Sequence, residues 1–133
     1  MFTVKGTMYQ TRRKYGNKKL VVDGVKFDSK LEFFCYNLLK ECDIDFEFQK
    51  KQVLFDKFKY NGKTIRAITM LIDFVINHNG KTIYLDTKGF ATETSKIKYK
   101  ILKYRLKDDL FTDVVWLHTQ KEVREYVNNL KIK

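Results

Sequence analysis

Three dipeptides punctuate this chain: Asp23-Gly24, Asn61-Gly62 and Asn79-Gly80. Each can hold two successive residues at positive φ, the backbone of a two-residue turn that joins antiparallel strands. The flanks are strand-like. Leu20-Val21-Val22 and Val25-Lys26-Phe27 predict an N-terminal hairpin. Residues 45–49 alternate, 52–60 read as extended, 64–77 as one long strand or two joined strands, and 81–87 as a strand centred on Ile83, Tyr84 and Leu85. The middle of the chain is therefore a meander.

Helical periodicity brackets the meander. After Ser29-Lys30-Leu31-Glu32, the residues Leu31, Phe34, Cys35, Leu38, Leu39 and Cys42 repeat as one apolar helix face. Residues 94–106 predict a second helix, with Ile97, Ile101, Leu102 and Leu106 apolar among many lysines. The run Asp113-Val114-Val115-Trp116-Leu117 reads as a buried strand. Thr119-Gln120-Lys121-Glu122 is a capping box opening a last helix with Val123, Tyr126, Val127 and Leu130. A helix between the meander and a further strand can serve as the crossover to a parallel neighbour. The expected class is α/β (α+β-like), a central mixed sheet flanked by helices, with an N-terminal hairpin.

The length of 133 residues fits one domain, 1–133, in which residues 1–18 read as a basic, irregular N-terminal arm. There is no proline to mark a linker. The 27 Lys and Arg outnumber the 16 Asp and Glu, for a net charge of +11. That excess favours a polyanionic partner through steering and counterion release. Cys35 and Cys42 lie about 10 Å apart if one helix holds both, beyond disulfide reach. They predict small buried apolar residues in a reducing compartment. His78 and His118 give no zinc spacing. No apolar run approaches a membrane span, and Met1-Phe2-Thr3-Val4-Lys5 is followed by none, so no secretory leader is expected. These features predict a cytoplasmic protein.

Asp73 stands within Leu71-Ile72-Asp73-Phe74-Val75-Ile76, and Asp86 and Lys88 close Ile83-Tyr84-Leu85-Asp86-Thr87-Lys88-Gly89. Ionised groups lose hydration in such apolar strands. Counted back from Asn79-Gly80, Asp73 falls near the level of Asp86. Asp86 and Lys88, two apart, point to one side. Two converging carboxylates repel unless a cation sits between them. Hard oxygen ligands with open positions suit Mg²⁺, for which Mn²⁺ substitutes. A nearby lysine can orient the attacking water and offset charge in the transition state. This set suffices for phosphodiester hydrolysis.

Asp73 followed by Asp86-Thr87-Lys88 resembles the core motif of the PD-(D/E)xK nuclease superfamily. Around it the chain is similar to small phage endonucleases and Holliday-junction resolvases of the endonuclease I type. Those have a Ser-x-x-Glu helix like Ser29-Lys30-Leu31-Glu32, an aromatic strand like Phe46-Glu47-Phe48, Asp-Phe like Asp73-Phe74, and an acid-x-Lys-Gly element like Asp86-Thr87-Lys88-Gly89. A similar order occurs in the endonuclease subunit of some transposons. A phage-encoded group also shares Lys14-Tyr15-Gly16-Asn17-Lys18-Lys19 and Phe27-Asp28-Ser29-Lys30-Leu31-Glu32. The resemblance spans roughly residues 12–106. Ile72 departs from it, standing where the superfamily has a proline.

The resemblance implies a restriction-endonuclease-like αβββαβ core and a Mg²⁺-dependent endonuclease for branched DNA, acting in a bacterial host. Glu32, Asp73, Asp86 and Lys88 would be catalytic. Asp73, Asp86 and the Thr87 carbonyl would hold the metal, Glu32 a second metal or a metal-bound water, and Lys88 would position the nucleophile. Two paired cuts in a junction imply a homodimer. Each residue also has a plainer reading. Glu32 can simply cap its helix, and the two aspartates can pair with Lys88 in a half-buried ion network. Candidate DNA contacts are Arg12, Arg13, Lys14, Lys18 and Lys19 in the arm, Arg66 on its strand, and Lys96, Lys98, Lys100 and Lys103 on the second helix; any of them can instead be a solvated face. Gln49 is a further candidate to point into the site, and Trp116 is expected in the core. The alternative function is a DNA-binding subunit with a nuclease fold, non-catalytic or dependent on a partner.

Overall fold

The computed structural model describes residues 8–12 and 18–132. Contacts divide the chain into two units. The first comprises the described residues up to Asp45, the segment Thr87–Gly89 and those from Leu117 on; the second comprises Phe46–Asp86 and Phe90–Trp116.

In the first unit, strands β1 (Met8–Arg12), β2 (Lys18–Val22) and β3 (Val25–Phe27) form an antiparallel sheet in that order. Asp23 (φ 52°) and Gly24 (φ 79°) make the expected turn, with Val22 opposite Val25. The irregular arm expected over residues 1–18 contains a strand. Met8–Arg12 pairs residue for residue with β2, because Leu20-Val21-Val22 has a second edge to offer. Helix α1 (Lys30–Glu41) starts on Ser29, whose hydroxyl accepts the Glu32 N–H at 3.0 Å. Its buried residues are Glu32, Phe33, Cys35 and Leu39, a face turned from the expected stripe. Two partners widen the covered arc. Phe27 of β3 meets the Phe33 and Tyr36 rings edge-on, and helix α3 (Gln120–Ile132) packs on α1 with Arg124 over the Phe34 ring. Val123 and Val127 of α3 are fully buried, and both cysteines are free.

In the second unit, β4 (Phe46–Phe55), β7 (Ile68–His78), β8 (Lys81–Thr87) and β9 (Thr112–Leu117) form a four-stranded sheet in that order. Between β4 and β7 run two short strands, β5 (Phe58–Tyr60) and β6 (Lys63–Ile65). β4, β7 and β8 are antiparallel neighbours. The Thr82 N–H donates to the Phe111 carbonyl at 2.8 Å and the Lys88 N–H to the Leu117 carbonyl at 3.0 Å. These bonds step the same way along both strands, so β9 runs parallel to β8 and the sheet is mixed. The connection is helix α2 (Glu93–Leu106), the expected crossover.

Tyr99 and Leu102 of α2 join Leu54, Met70, Ile72 and Val75 in one apolar cluster, and Arg105 donates to the Leu54 carbonyl. Burying side chains of this size contributes about 2 kcal/mol each. Ile97, expected in the core, is 57% exposed. Tyr99 takes the buried place instead, because its ring stacks on Trp116 at 4.5 Å and its hydroxyl donates to the Val115 carbonyl at 2.6 Å.

Candidate active site

β7 and β8 meet through Asn79 (φ 52°) and Gly80 (φ 79°), and their register runs from His78 opposite Lys81 to Phe74 opposite Leu85. One step further, Asp73 faces Asp86. The ladder changes character there: the Asp73 N–H donates to the side-chain Oδ1 of Asp86, at 2.9 Å. The structure therefore brings the Asp86 carboxylate to the backbone of Asp73. Both are buried, Asp73 at 7% exposure and Asp86 at 1%.

The strand on the other edge of β7 is irregular at the level of Asp73. In β4, Gln49 stands between the pairs Phe48–Phe74 and Lys50–Ile72, at the level of Asp73, with a left-handed φ of 55°. Glu47 and Lys50, three apart, form a 2.9 Å ion pair on one face. Ile72 and Val75, also three apart, pack into one cluster. Side chains alternate along regular strands, so the left-handed Gln49 interrupts that alternation in β4 at this level. An αL backbone costs a glutamine of order 1 kcal/mol or more, and such irregularities gather where a side chain must be re-aimed.

The charge of the pair is felt nearby. The Tyr99 hydroxyl is pushed well above the usual phenol range, first by burial and then by the negative charges of Asp86 and Asp73. A buried aspartate pair of this kind offers hard oxygens, the donor type that suits a small divalent cation. Among the described residues no three His, Cys, Asp or Glu side chains gather to hold a metal. Mg²⁺ usually takes one or two carboxylates and completes its shell with water and phosphate oxygens, so the pair fits that ion. Thr87, the buried residue after Asp86, would offer its carbonyl.

Lys88 follows as the strand ends, with its backbone held on both sides. Its N–H donates to the Leu117 carbonyl, and its carbonyl lies 2.7 Å from His118 Nδ1. A carbonyl can only accept, so Nδ1 carries the hydrogen. This contact of His118 with the Lys88 backbone is not apparent from the sequence. His118 lies thirty residues from Lys88, and only the parallel register of β8 and β9 connects them.

Glu32 sits in the first turn of α1, 1% exposed, and its Oε1 accepts the Asp28 N–H at 3.1 Å. The Ser29 half of the expected capping box is present, while the Glu32 carboxylate accepts from Asp28, one residue before the cap. Of the candidate DNA contacts, Arg13 and Lys14 lie outside the described residues, and Arg12 and Lys18 are backbone partners across β1 and β2. Lys19 is largely buried and paired with Asp28 at 3.1 Å. Arg66, Lys96, Lys100 and Lys103 are exposed and Lys98 is half-buried; Lys96 is bonded to Glu93, and Lys103 lies over the Tyr99 ring.

Residues 12–124 match the model of a family described as protein of unknown function, DUF1064, and the chain belongs to that family. No curated protein and no solved structure matches it.

Proposed function

We infer that this chain is a metal-dependent DNA endonuclease. The observation that supports it most is Asp73 facing Asp86 where the β7–β8 ladder ends, with Lys88 two residues on. Burying two acids at one level of a ladder costs hydration and invites repulsion. A divalent cation offsets that repulsion: bound there, it would polarise a phosphodiester and lower the pKa of a water. Asp73 and Asp86 supply carboxylate oxygens, and the Asp73 amide fixes the orientation of Asp86. Thr87 supplies its carbonyl. Lys88 orients the attacking water and offsets charge on the phosphoryl oxygens. Glu32, beyond its bond to the Asp28 amide, would hold a metal-bound water, a role that rests on the resemblance to PD-(D/E)xK nucleases. The net charge of +11 supports DNA as the substrate. The resemblance to junction resolvases makes branched DNA the preferred form and a homodimer the acting species.

The test is a cleavage panel of a four-way junction, a flap, a fork and a linear duplex, each with Mg²⁺ or Mn²⁺. Branched substrates should be cut, and Asp86→Asn should leave them intact while still binding them. No cut in any substrate with either ion would overturn the reading.

A further inference from the structure

The ladder that carries Asp73 extends well beyond the four-stranded sheet. After a register shift between Val53 and Phe55, Phe55 pairs with Ile68. In that same register Phe58, Lys59 and Tyr60 pair with Ile65, Thr64 and Lys63. β5 and β6 thus prolong β4 and β7 into one antiparallel arm, closed by Asn61 (φ 50°) and Gly62 (φ 75°). At about 3.3 Å per residue, its tip lies up to roughly 35 Å of strand from the level of Asp73.

Every residue from Phe55 to Ile68 is exposed. Alternation sorts the arm into two faces. One carries Phe58, Tyr60 and Ile65, exposed by 52%, 66% and 42%, together with Lys63. The other carries Lys59 and Thr64. Lys57 and Arg66 flank the strands, and Asp56 is the arm's one carboxylate against four cations. An apolar surface held out in water marks an interaction site. A second copy of the chain would bring two such cationic arms together. A polyanion with flat apolar faces is complementary to both features at once.

We propose that the β5–β6 arm binds DNA where bases are unstacked, Phe58 and Tyr60 stacking on unpaired bases while Lys59, Lys63 and Arg66 follow the phosphates. In an intact duplex the base faces are hidden in the stack, so the arm selects forks, flaps and branch points. Base–aromatic stacking tolerates any sequence, because every base has a π face. The inference rests on the nuclease reading for DNA as the substrate and gives that site its substrate class.

The experiment measures binding by fluorescence anisotropy in EDTA, where no metal-dependent cleavage occurs, with a labelled fork and a labelled matched duplex. Phe58→Ala with Tyr60→Ala should weaken fork binding about tenfold or more, with less than about a twofold change on duplex. The aromatic-preserving pair Phe58→Tyr with Tyr60→Phe should bind the fork like the parent, which separates stacking from folding of the arm. Lys59→Ala with Arg66→Ala should weaken both substrates and flatten the salt dependence by about two units of slope. Fork binding unchanged in the alanine pair would overturn the proposal. So would equal losses on fork and duplex accompanied by dissociation of a dimer in sedimentation, which would make the arm a self-association surface. A parent that binds the fork but never cuts any DNA would fail the nuclease reading and leave the arm's role standing.

Discussion

The start of α1 and the end of the β7–β8 ladder bury a carboxylate in the same way and for different reasons. Glu32 and Asp86 are each 1% exposed, and each accepts a backbone N–H, at 3.1 and 2.9 Å. For Glu32 the donor is Asp28, four residues back, just ahead of the residue that caps the helix. For Asp86 the donor is Asp73, thirteen residues away, which itself carries a buried carboxylate. The first burial ties down the chain just ahead of α1. The second ties two strands together through a carboxylate set beside another buried acid. A buried acid is therefore informative when local backbone chemistry fails to account for it.

That contrast can be broken at several points. Asp86→Asn keeps an oxygen for the Asp73 amide and removes one charge, so cleavage should fall about a thousandfold, the effect of about 4 kcal/mol on a barrier. In EDTA the same variant should melt above the parent, since two buried like charges become one; a lower melting temperature would show that the pair stabilises the fold. Saturating Mg²⁺ should stabilise the parent by about 2.7 kcal/mol at a hundred times its dissociation constant and leave Asp86→Asn unmoved, as read by urea unfolding. Glu32→Gln keeps an acceptor for the Asp28 amide. It should lower cleavage about tenfold to a hundredfold with little change in melting, and an unchanged rate would reduce Glu32 to a structural role. Ser29→Ala removes the hydroxyl that caps α1, costs about 1 kcal/mol in unfolding, and should leave the rate within twofold. The smallest effect concerns Tyr99. Its pKa is raised in the folded chain, so this contribution is complete below about pH 10 and fades as pH climbs past it. Urea midpoints between pH 9 and 11 should fall less steeply in Tyr99→Phe.

Much of this was legible in the sequence. The Xaa-Gly turns located the β2–β3, β5–β6 and β7–β8 hairpins, and counting from Asn79-Gly80 placed Asp73 opposite Asp86. Ser29 and Thr119 announced their helices through hydrogen bonds that span three or four residues. Tyr99 and His118 escaped. An amphipathic count favours Ile97 over Tyr99, because it cannot see that Trp116 and the Val115 carbonyl await a ring with a hydroxyl. His118 depends on how β9 slides along β8, a register that no local pattern records. The left-handed backbone at Gln49 was invisible for a related reason: glutamine carries no preference for positive φ.

The parallel pairing of β8 with β9 also sets a timetable. Asp73 and Asp86 meet by closing thirteen residues across a tight turn, whereas the backbone of Lys88 is clamped only after thirty residues, including a helix, have found their course. Closure costs rise with the span enclosed, and contacts between distant segments form slowly. Sequence separation thus predicts two stages of maturation during refolding. The bond between the Asp73 amide and Asp86 forms first, and the backbone of Lys88 is locked last.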